Sequence, residues 1–168
     1  MRNKTNPSPV PTPQQALRRL SALCVRQESC AYELLQRMKR KGMGENDAEQ
    51  VIRMLLDEGF LDESRYCRAF VHDKLEISRW GRLRIQRELR LRQLPPAKIQ
   101  AALDEVEESR YREALNELLA AYNRTLSARS SYERWGKLVR YAMGRGFEQD
   151  LASQAARKLV QHAEEDDQ

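Results

Sequence analysis

The feature that most constrains the fold of this chain is an internal repeat in the spacing of its apolar residues. With Leu34, Ile85 and Leu138 as equivalent anchors, offset by 51 and then 53 residues, apolar residues recur at six further matching positions. These positions hold Met38, Leu89 and Ala142; Met43, Leu94 and Phe147; Ala48, Ile99 and Ala152; Val51, Ala102 and Ala155; Ile52, Leu103 and Ala156; and Leu55, Val106 and Leu159. The spacings are helical and continue without a gap across two helices and a turn. Because a unit of about fifty residues buries little core alone, neighbouring units must stack on one another.

Composition favours helices throughout, since Ala, Leu, Glu, Arg and Gln are abundant and only 7 Gly and 6 Pro occur. We therefore predict an all-α fold of three tandem three-helix repeats that form an elongated, curved helical array of right-handed type. The predicted repeats are residues 14–60, 61–107 and 108–160, and the second is expected to be basic. A disordered proline-rich tail (1–13) precedes them, and an acidic tail (161–168) follows.

Cap and breaker residues predict where the helices begin and end. The predicted N-caps are Ser29, Asn46 with Glu49 as a capping box, Asp62, Ser78 and Ser130 with Glu133. Gly59 stops a helix where a left-handed residue is commonly needed, and Pro95-Pro96 ends one helix and opens the next. Glycines at 42, 44, 144 and 146 are expected to break their helices. An eight-residue insertion in the third repeat is assigned to a longer helix or to the SARSS loop.

Charge and cysteine usage narrow the class of protein. The net charge of +5 and the pI near 9.3 indicate a polyanionic partner or an acidic protein surface. Cys24, Cys30 and Cys67 lack metal-site spacing, so we expect free thiols and neither metal nor cofactor. His72 and Asp73 are adjacent on a helix and cannot form a catalytic relay, so no enzyme is expected. With no signal-like or membrane-spanning apolar run, we expect a cytoplasmic monomer that does not contact membranes.

The strongest functional signal is a series of arginines in the second repeat. The series consists of Arg79, Arg82, Arg84, Arg87, Arg90 and Arg92. Only Glu88 offers local compensation, and Ile85 with Leu89 is expected to face the core, so we predict that these arginines bind a partner. An ordinary solvated helix face is the alternative. Trp80 and Trp135 stand near the starts of the corresponding helices, either as partner anchors or as packing covers between repeats.

Two segments, GFLDESRYCRAFV and the GRLRIQREL that follows it, resemble the sequence pattern of the RecX family of regulatory proteins. The matching positions are Gly59, Phe60, Leu61, Asp62, Arg65, Tyr66, Ala69, Phe70, Val71, Gly81, Arg84, Ile85, Glu88 and Leu89. A weaker match in the first repeat involves Arg26, Ser29, Glu33 and Leu34. The chain departs from the family pattern at Arg82, where the family usually has proline, and at Gln93, where it usually has glycine.

The resemblance implies a fold of tandem three-helix repeats, in which most motif positions are structural. It also implies binding in the groove of the RecA filament, inhibition of ATP hydrolysis and strand exchange, and filament disassembly. Such a protein restrains recombination, DNA repair and the SOS response. Direct binding of single- or double-stranded DNA by helix-turn-helix-like basic units is the alternative function, and a passive helical scaffold is a third.

Overall fold

The computed structural model describes residues 9–166, and within that range the chain forms nine α-helices and no strand. The helices are α1 (Pro13–Arg26), α2 (Ala31–Arg40), α3 (Glu45–Asp57), α4 (Glu63–Glu76), α5 (Arg82–Leu91), α6 (Pro96–Asp104), α7 (Glu108–Asn123), α8 (Ser131–Gly144) and α9 (Gln149–Asp166). The all-α prediction is confirmed. Contacts divide the chain into two compact units, the first ending at Tyr66 and the second beginning at Cys67.

In the first unit, α1 and α2 both pack on α3. The buried cluster that joins them contains Ala16, Leu20, Cys24, Leu34, Met38, Met43, Ala48, Val51, Ile52, Leu55 and Leu61. Helix α1 begins at Pro13, one residue earlier than predicted, and Thr12 forms a capping box with Gln15. Residues 1–8 of the predicted disordered tail lie outside the described range.

In the second unit, α5 packs on α6, and α7 packs with α8 and α9. The apolar positions found in the sequence register form the core of both units. All three members are buried at the anchor position and at the next five matching positions. At the last position Leu55 is buried, whereas Val106 and Leu159 are half-buried. The register therefore identified the core-facing side of the second and third helices of each predicted repeat.

The turn after the second helix is the same in all three predicted repeats. A backbone amide donates to the carbonyl five residues earlier in each copy, from Met43 to Met38 (3.2 Å), Leu94 to Leu89 (3.2 Å) and Phe147 to Ala142 (3.1 Å). The residue before each donor has positive φ: Gly42 at 86°, Gln93 at 59° and Gly146 at 93°. This is a Schellman ending. Gln93 adopts the left-handed conformation although its side chain disfavours it, which accounts for glycine as the usual family residue there.

Three of the predicted caps are wrong. Ser29 is buried, and α2 begins after Cys30. Asn46 lies inside α3, whose N-cap is Gly44. Ser78 lies three residues before Gly81, which is the actual N-cap of α5. For α5, backbone hydrogen bonds from Gly81 and Leu83 to the end of α8, rather than the nearest serine, fix where the helix starts.

Other predicted boundaries are confirmed. The Asp62 carboxylate accepts from the Arg65 amide at 2.8 Å, and the Ser130 hydroxyl accepts from the Glu133 amide at 3.1 Å. Gly59 has a φ of 75°, and α6 begins at Pro96.

The third repeat differs from the second in three places. Compared with α4, α7 is two residues longer, the loop after it is two residues longer, and α8 starts one turn earlier relative to its anchor. Helix α9 continues to Asp166 instead of ending where the acidic tail was predicted to begin. Residues 149–166 contain neither glycine nor proline, so no helix-breaking residue ends α9 earlier. None of the helices within residues 9–166 has the length and apolar character needed to cross a bilayer.

Candidate partner-binding face

The arginine-rich helix is shorter than the arginine series. Helix α5 covers Arg82–Leu91 and buries Ile85 and Leu89, as predicted. Arg79 and Trp80 belong to the loop before it, and Arg79 has a φ of 51°. The helix predicted to follow an N-cap at Ser78 therefore begins three residues later than expected. The loop is closed by the Trp80 amide, which donates to the Lys74 carbonyl at 2.9 Å.

Close backbone contact fixes the start of α5 against the end of α8. The Gly81 amide donates to the Arg145 carbonyl at 2.9 Å, and the Leu83 amide donates to the Gly146 carbonyl at 3.1 Å. A Cβ on Gly81 would collide with the backbone of Gly146 and Phe147. Glycine at position 81 therefore permits this approach, which joins the second predicted repeat to the third.

Arg82 is part of a polar cluster built mainly by α7. Its guanidinium lies 3.8 Å from the centre of the Tyr111 ring and bonds Glu108 at 2.9 Å, with Glu148 at 3.8 Å. Its backbone amide donates to the Tyr111 hydroxyl at 2.9 Å, and that hydroxyl donates to Glu148 at 2.7 Å. The hydrogen bond from Arg82 lowers the pKa of Glu108, whereas burial raises the pKa of Tyr111. The residue that replaces the family proline thus holds α5 against α7.

Arg79 also bonds acidic residues, one of them distant in sequence and one three residues before it. It contacts Glu117 at 2.5 Å and Glu76 at 3.7 Å. Arg110 bonds both oxygens of Glu76, with a shortest distance of 2.5 Å, and also reaches Glu113 and Glu117. This bidentate bond lowers the pKa of Glu76. Arg79 is therefore engaged within the second unit.

Two further arginines rest on aromatic rings. Arg84 lies 3.9 Å from the centre of the Trp80 ring, which Lys74 approaches at 4.9 Å. Arg92 lies 5.0 Å from the Phe70 ring and bonds Glu88 at 3.1 Å. The packing interpretation of Trp80 is consistent with these contacts.

Arg87 and Arg90 remain exposed. The Arg87 side chain is 68% accessible, and its nearest acidic contact is Glu88 at 3.8 Å. Leu83 and Leu91 lie four residues on either side of Arg87, and both are exposed, at 54% and 63%. We call these four residues, Leu83, Arg87, Arg90 and Leu91, the α5 outer face.

Sequence reasoning missed the two leucines of the α5 outer face. Their spacing of eight residues, which places both on one side of α5, is the signal in the sequence that could have identified them. Beside Leu83, a hollow of about 340 Å³ separates α5 from α6, and Gln86, Gln100 and Leu103 contribute to its lining. The face therefore combines exposed apolar area, two available cations and an adjacent depression, which are properties of a protein-binding surface.

Comparison with known families decides where this fold belongs. The model of the second three-helix domain of RecX matches residues 62–103, and the model of the third matches residues 109–166. Together they cover well over half of the chain. The chain belongs to the RecX family.

Several RecX relatives align over most of this chain. The regulatory protein RecX of Lactobacillus johnsonii is 25% identical over 142 residues, which are 84% of this chain and 52% of that protein. Those of Legionella pneumophila and Vibrio vulnificus are 24% and 28% identical over 82% and 74% of this chain, and over 89% and 80% of their own lengths. The chain spans about half the length of its two Lactobacillus relatives.

Solved RecX structures share the fold. RecX from Lactobacillus salivarius superposes with a TM-score of 0.74 at 16% identity, over 88% of this chain and 96% of its own. Another regulatory protein RecX superposes with a TM-score of 0.71 at 18% identity, over 83% and 68%. The predicted array of helical repeats is thereby confirmed, while the predicted repeat boundaries stay a prediction.

The remaining RecX motif residues of this chain have structural surroundings. Leu61 and Tyr66 are buried, and Phe60 is half-buried against the core of the first unit. Arg65 bonds Glu28 at 2.6 Å and reaches the Phe60 carbonyl at 3.4 Å. The motif therefore joins the start of α4 to the first unit.

Proposed function

We propose that this chain regulates the RecA recombinase by binding its filament. It lies in the filament groove, inhibits ATP hydrolysis and strand exchange, and promotes disassembly. Family membership supports the regulatory role, since the matching relatives are called regulatory proteins. The observation that carries the choice of contact surface is the α5 outer face, which is exposed and weakly paired.

The proposed contact surface contains fewer arginines than the series predicted from the sequence. Arg79, Arg82 and Arg92 are each bonded to acidic side chains of the chain itself, and each side chain is at most 29% accessible. Recruiting them to a partner would break those bonds, whereas Arg87 and Arg90 can engage a partner without such loss. Leu83 and Leu91 add apolar area, about 25 cal/mol per Å² when buried. An acidic protein surface with an apolar patch is the partner chemistry that this face fits.

A filament-binding assay tests the assignment of the face. Replacing Arg87 and Arg90 by Glu should weaken binding of labelled protein to RecA filaments by about tenfold or more, because two attractive contacts become repulsive. Leu83→Ala with Leu91→Ala should weaken binding through loss of apolar area. The matched control reverses Arg124 and Arg157, which are also exposed in the second unit.

Circular dichroism should show unchanged helical content in all of these variants. Equal binding by the α5 variants and the control would remove this face from the proposal.

A further inference from the structure

The positive charge of the chain is concentrated in α1 and α2, outside the repeat that was predicted to be basic. Residues 13–41 contain seven Lys or Arg and two Glu, which gives a net charge of +5. The whole chain also has a net charge of +5, so the remaining residues sum to zero. In residues 61–107, ten cations are opposed by eight acids. The positive charge is therefore concentrated in this segment and not in the first unit as a whole, because Met1–Tyr66 holds 11 cations and 9 acids.

Five of these cations line one concave surface. A hollow of about 610 Å³ lies along α1 and the end of α2, and none of its lining residues is acidic. The cations that line it are Arg18, Arg19, Arg26, Arg37 and Lys41. We call these five residues the basic hollow. Leu20 and Leu23 contribute apolar surface, and all five cations are exposed.

Neither acid of the same segment lines the basic hollow. Glu28 bonds Arg65 at 2.6 Å, and Glu33 accepts from the Tyr66 hydroxyl at 3.3 Å. Within the part of the chain that the structure describes, no ion pair involves any cation of the basic hollow. Three arginines of the second unit differ, because Arg79, Arg82 and Arg110 are bonded by acids from other helices or loops. Five unneutralised cations around a concavity attract a ligand with closely spaced negative charges.

A second hollow extends this surface towards the start of α2. It shares Leu23 and Arg37 with the basic hollow, and its lining also includes Tyr32, Arg40 and one acid, Glu33. A continuous track therefore runs from five cations to a half-buried aromatic ring. Single-stranded nucleic acid has both complementary features, since its phosphates repeat along the strand and its bases can stack on an aromatic ring.

We propose that the basic hollow binds the phosphate backbone of single-stranded nucleic acid, with a base stacked at Tyr32. An acidic protein segment would satisfy the cations but would leave the aromatic ring and apolar floor without specific partners. The site lies in the first unit and shares no residue with the α5 outer face. It therefore stands independently of the proposed regulation of RecA.

The test measures binding to a labelled oligothymidylate of about 20 nucleotides by fluorescence anisotropy, without recombinase. With about 0.7 counterions released per phosphate contact, five contacts give a log–log salt slope near −3.5. Affinity should then fall about 100-fold between 50 and 200 mM salt. Replacing Arg18, Arg19 and Arg37 by Ala should bring the slope to about −1.4. Tyr32→Ala should weaken binding by about tenfold while leaving the slope unchanged.

The matched control replaces Arg53, Arg124 and Arg157 by Ala, which removes the same charge from exposed positions outside the hollow. It should retain the wild-type slope. The proposal is overturned if wild-type protein shows no salt-dependent binding, or if the control loses as much affinity as the hollow variant. Duplex DNA bound as tightly as the single strand would overturn the single-strand assignment, as would preference for an acidic peptide. Because RecA is absent, none of these outcomes bears on the proposed regulation.

Discussion

Replacing Tyr111 by Phe removes one hydroxyl and leaves the buried ring in place. That hydroxyl accepts from the Arg82 amide at 2.9 Å and donates to Glu148 at 2.7 Å. It therefore caps the first turn of α5 from a different helix. A hydrogen bond to a charged group contributes about 1.5–3 kcal/mol, and a neutral one about 0.5–1.5 kcal/mol.

The full sum of these contributions is not expected. Glu148 is 32% accessible and keeps a longer contact with Arg82, so water can replace part of the lost interaction. We expect Tyr111→Phe to lower the free energy of unfolding by about 2 kcal/mol. Tyr132→Phe is the matched control, because Tyr132 is 80% exposed and should tolerate loss of its hydroxyl.

The assay is urea denaturation followed by circular dichroism at 222 nm. Ring volume and the contact with Phe147, whose ring centre lies 5.1 Å away, are retained, so any loss reports the hydroxyl alone. A difference below about 0.5 kcal/mol between the two Phe variants would refute the reasoning. It would mean that α5 does not depend on α7 for its first-turn cap.

Two further predictions concern the same part of the molecule. Gly81→Ala should destabilise the second unit by about 2–3 kcal/mol, because the added Cβ would collide with the Gly146 backbone. Thermal denaturation measures this loss. The control, Gly144→Ala, should show no such loss, because a Cβ at that position enters open space. The folded-state pKa of Glu76 is lowered from 4.5 by Arg110, so its stabilisation is present above pH 4.5 and is lost as pH falls through the folded value. Glu76→Gln should therefore reduce the urea midpoint at pH 7 and flatten its decline towards pH 3. An unchanged pH profile would show that the Arg110 bond does not stabilise the fold.

The core was predictable from sequence because helical periodicity depends on local spacing. Ile85 and Leu89 had to share a face, and the same spacing recurred in the neighbouring copies, so one register located most of the core. Helix starts were less predictable. Gly81 caps α5 because it contacts the backbone at Gly146, and residues 65 positions apart give no local signal of that contact.

The candidate site was only partly predictable for the same reason. The arginines were judged against acids within one helical turn, which left Glu88 as the sole counter-charge. The folded chain brings Glu108, Glu117 and other distant acids onto Arg82 and Arg79. The spacing of Leu83 and Leu91, four residues on either side of Arg87, could be read from the sequence, whereas their exposure is seen only in the structure.

The central claim is most directly tested by ATP hydrolysis of RecA on single-stranded DNA while the protein is titrated in. Wild-type protein should inhibit hydrolysis, and the double reversal Arg87→Glu with Arg90→Glu should inhibit much less at equal concentration. Inhibition well below equimolar ratios would indicate capping of filament ends, whereas inhibition near equimolar ratios would indicate coating of the groove. Unchanged hydrolysis at saturating wild-type protein would contradict the proposed regulation of RecA.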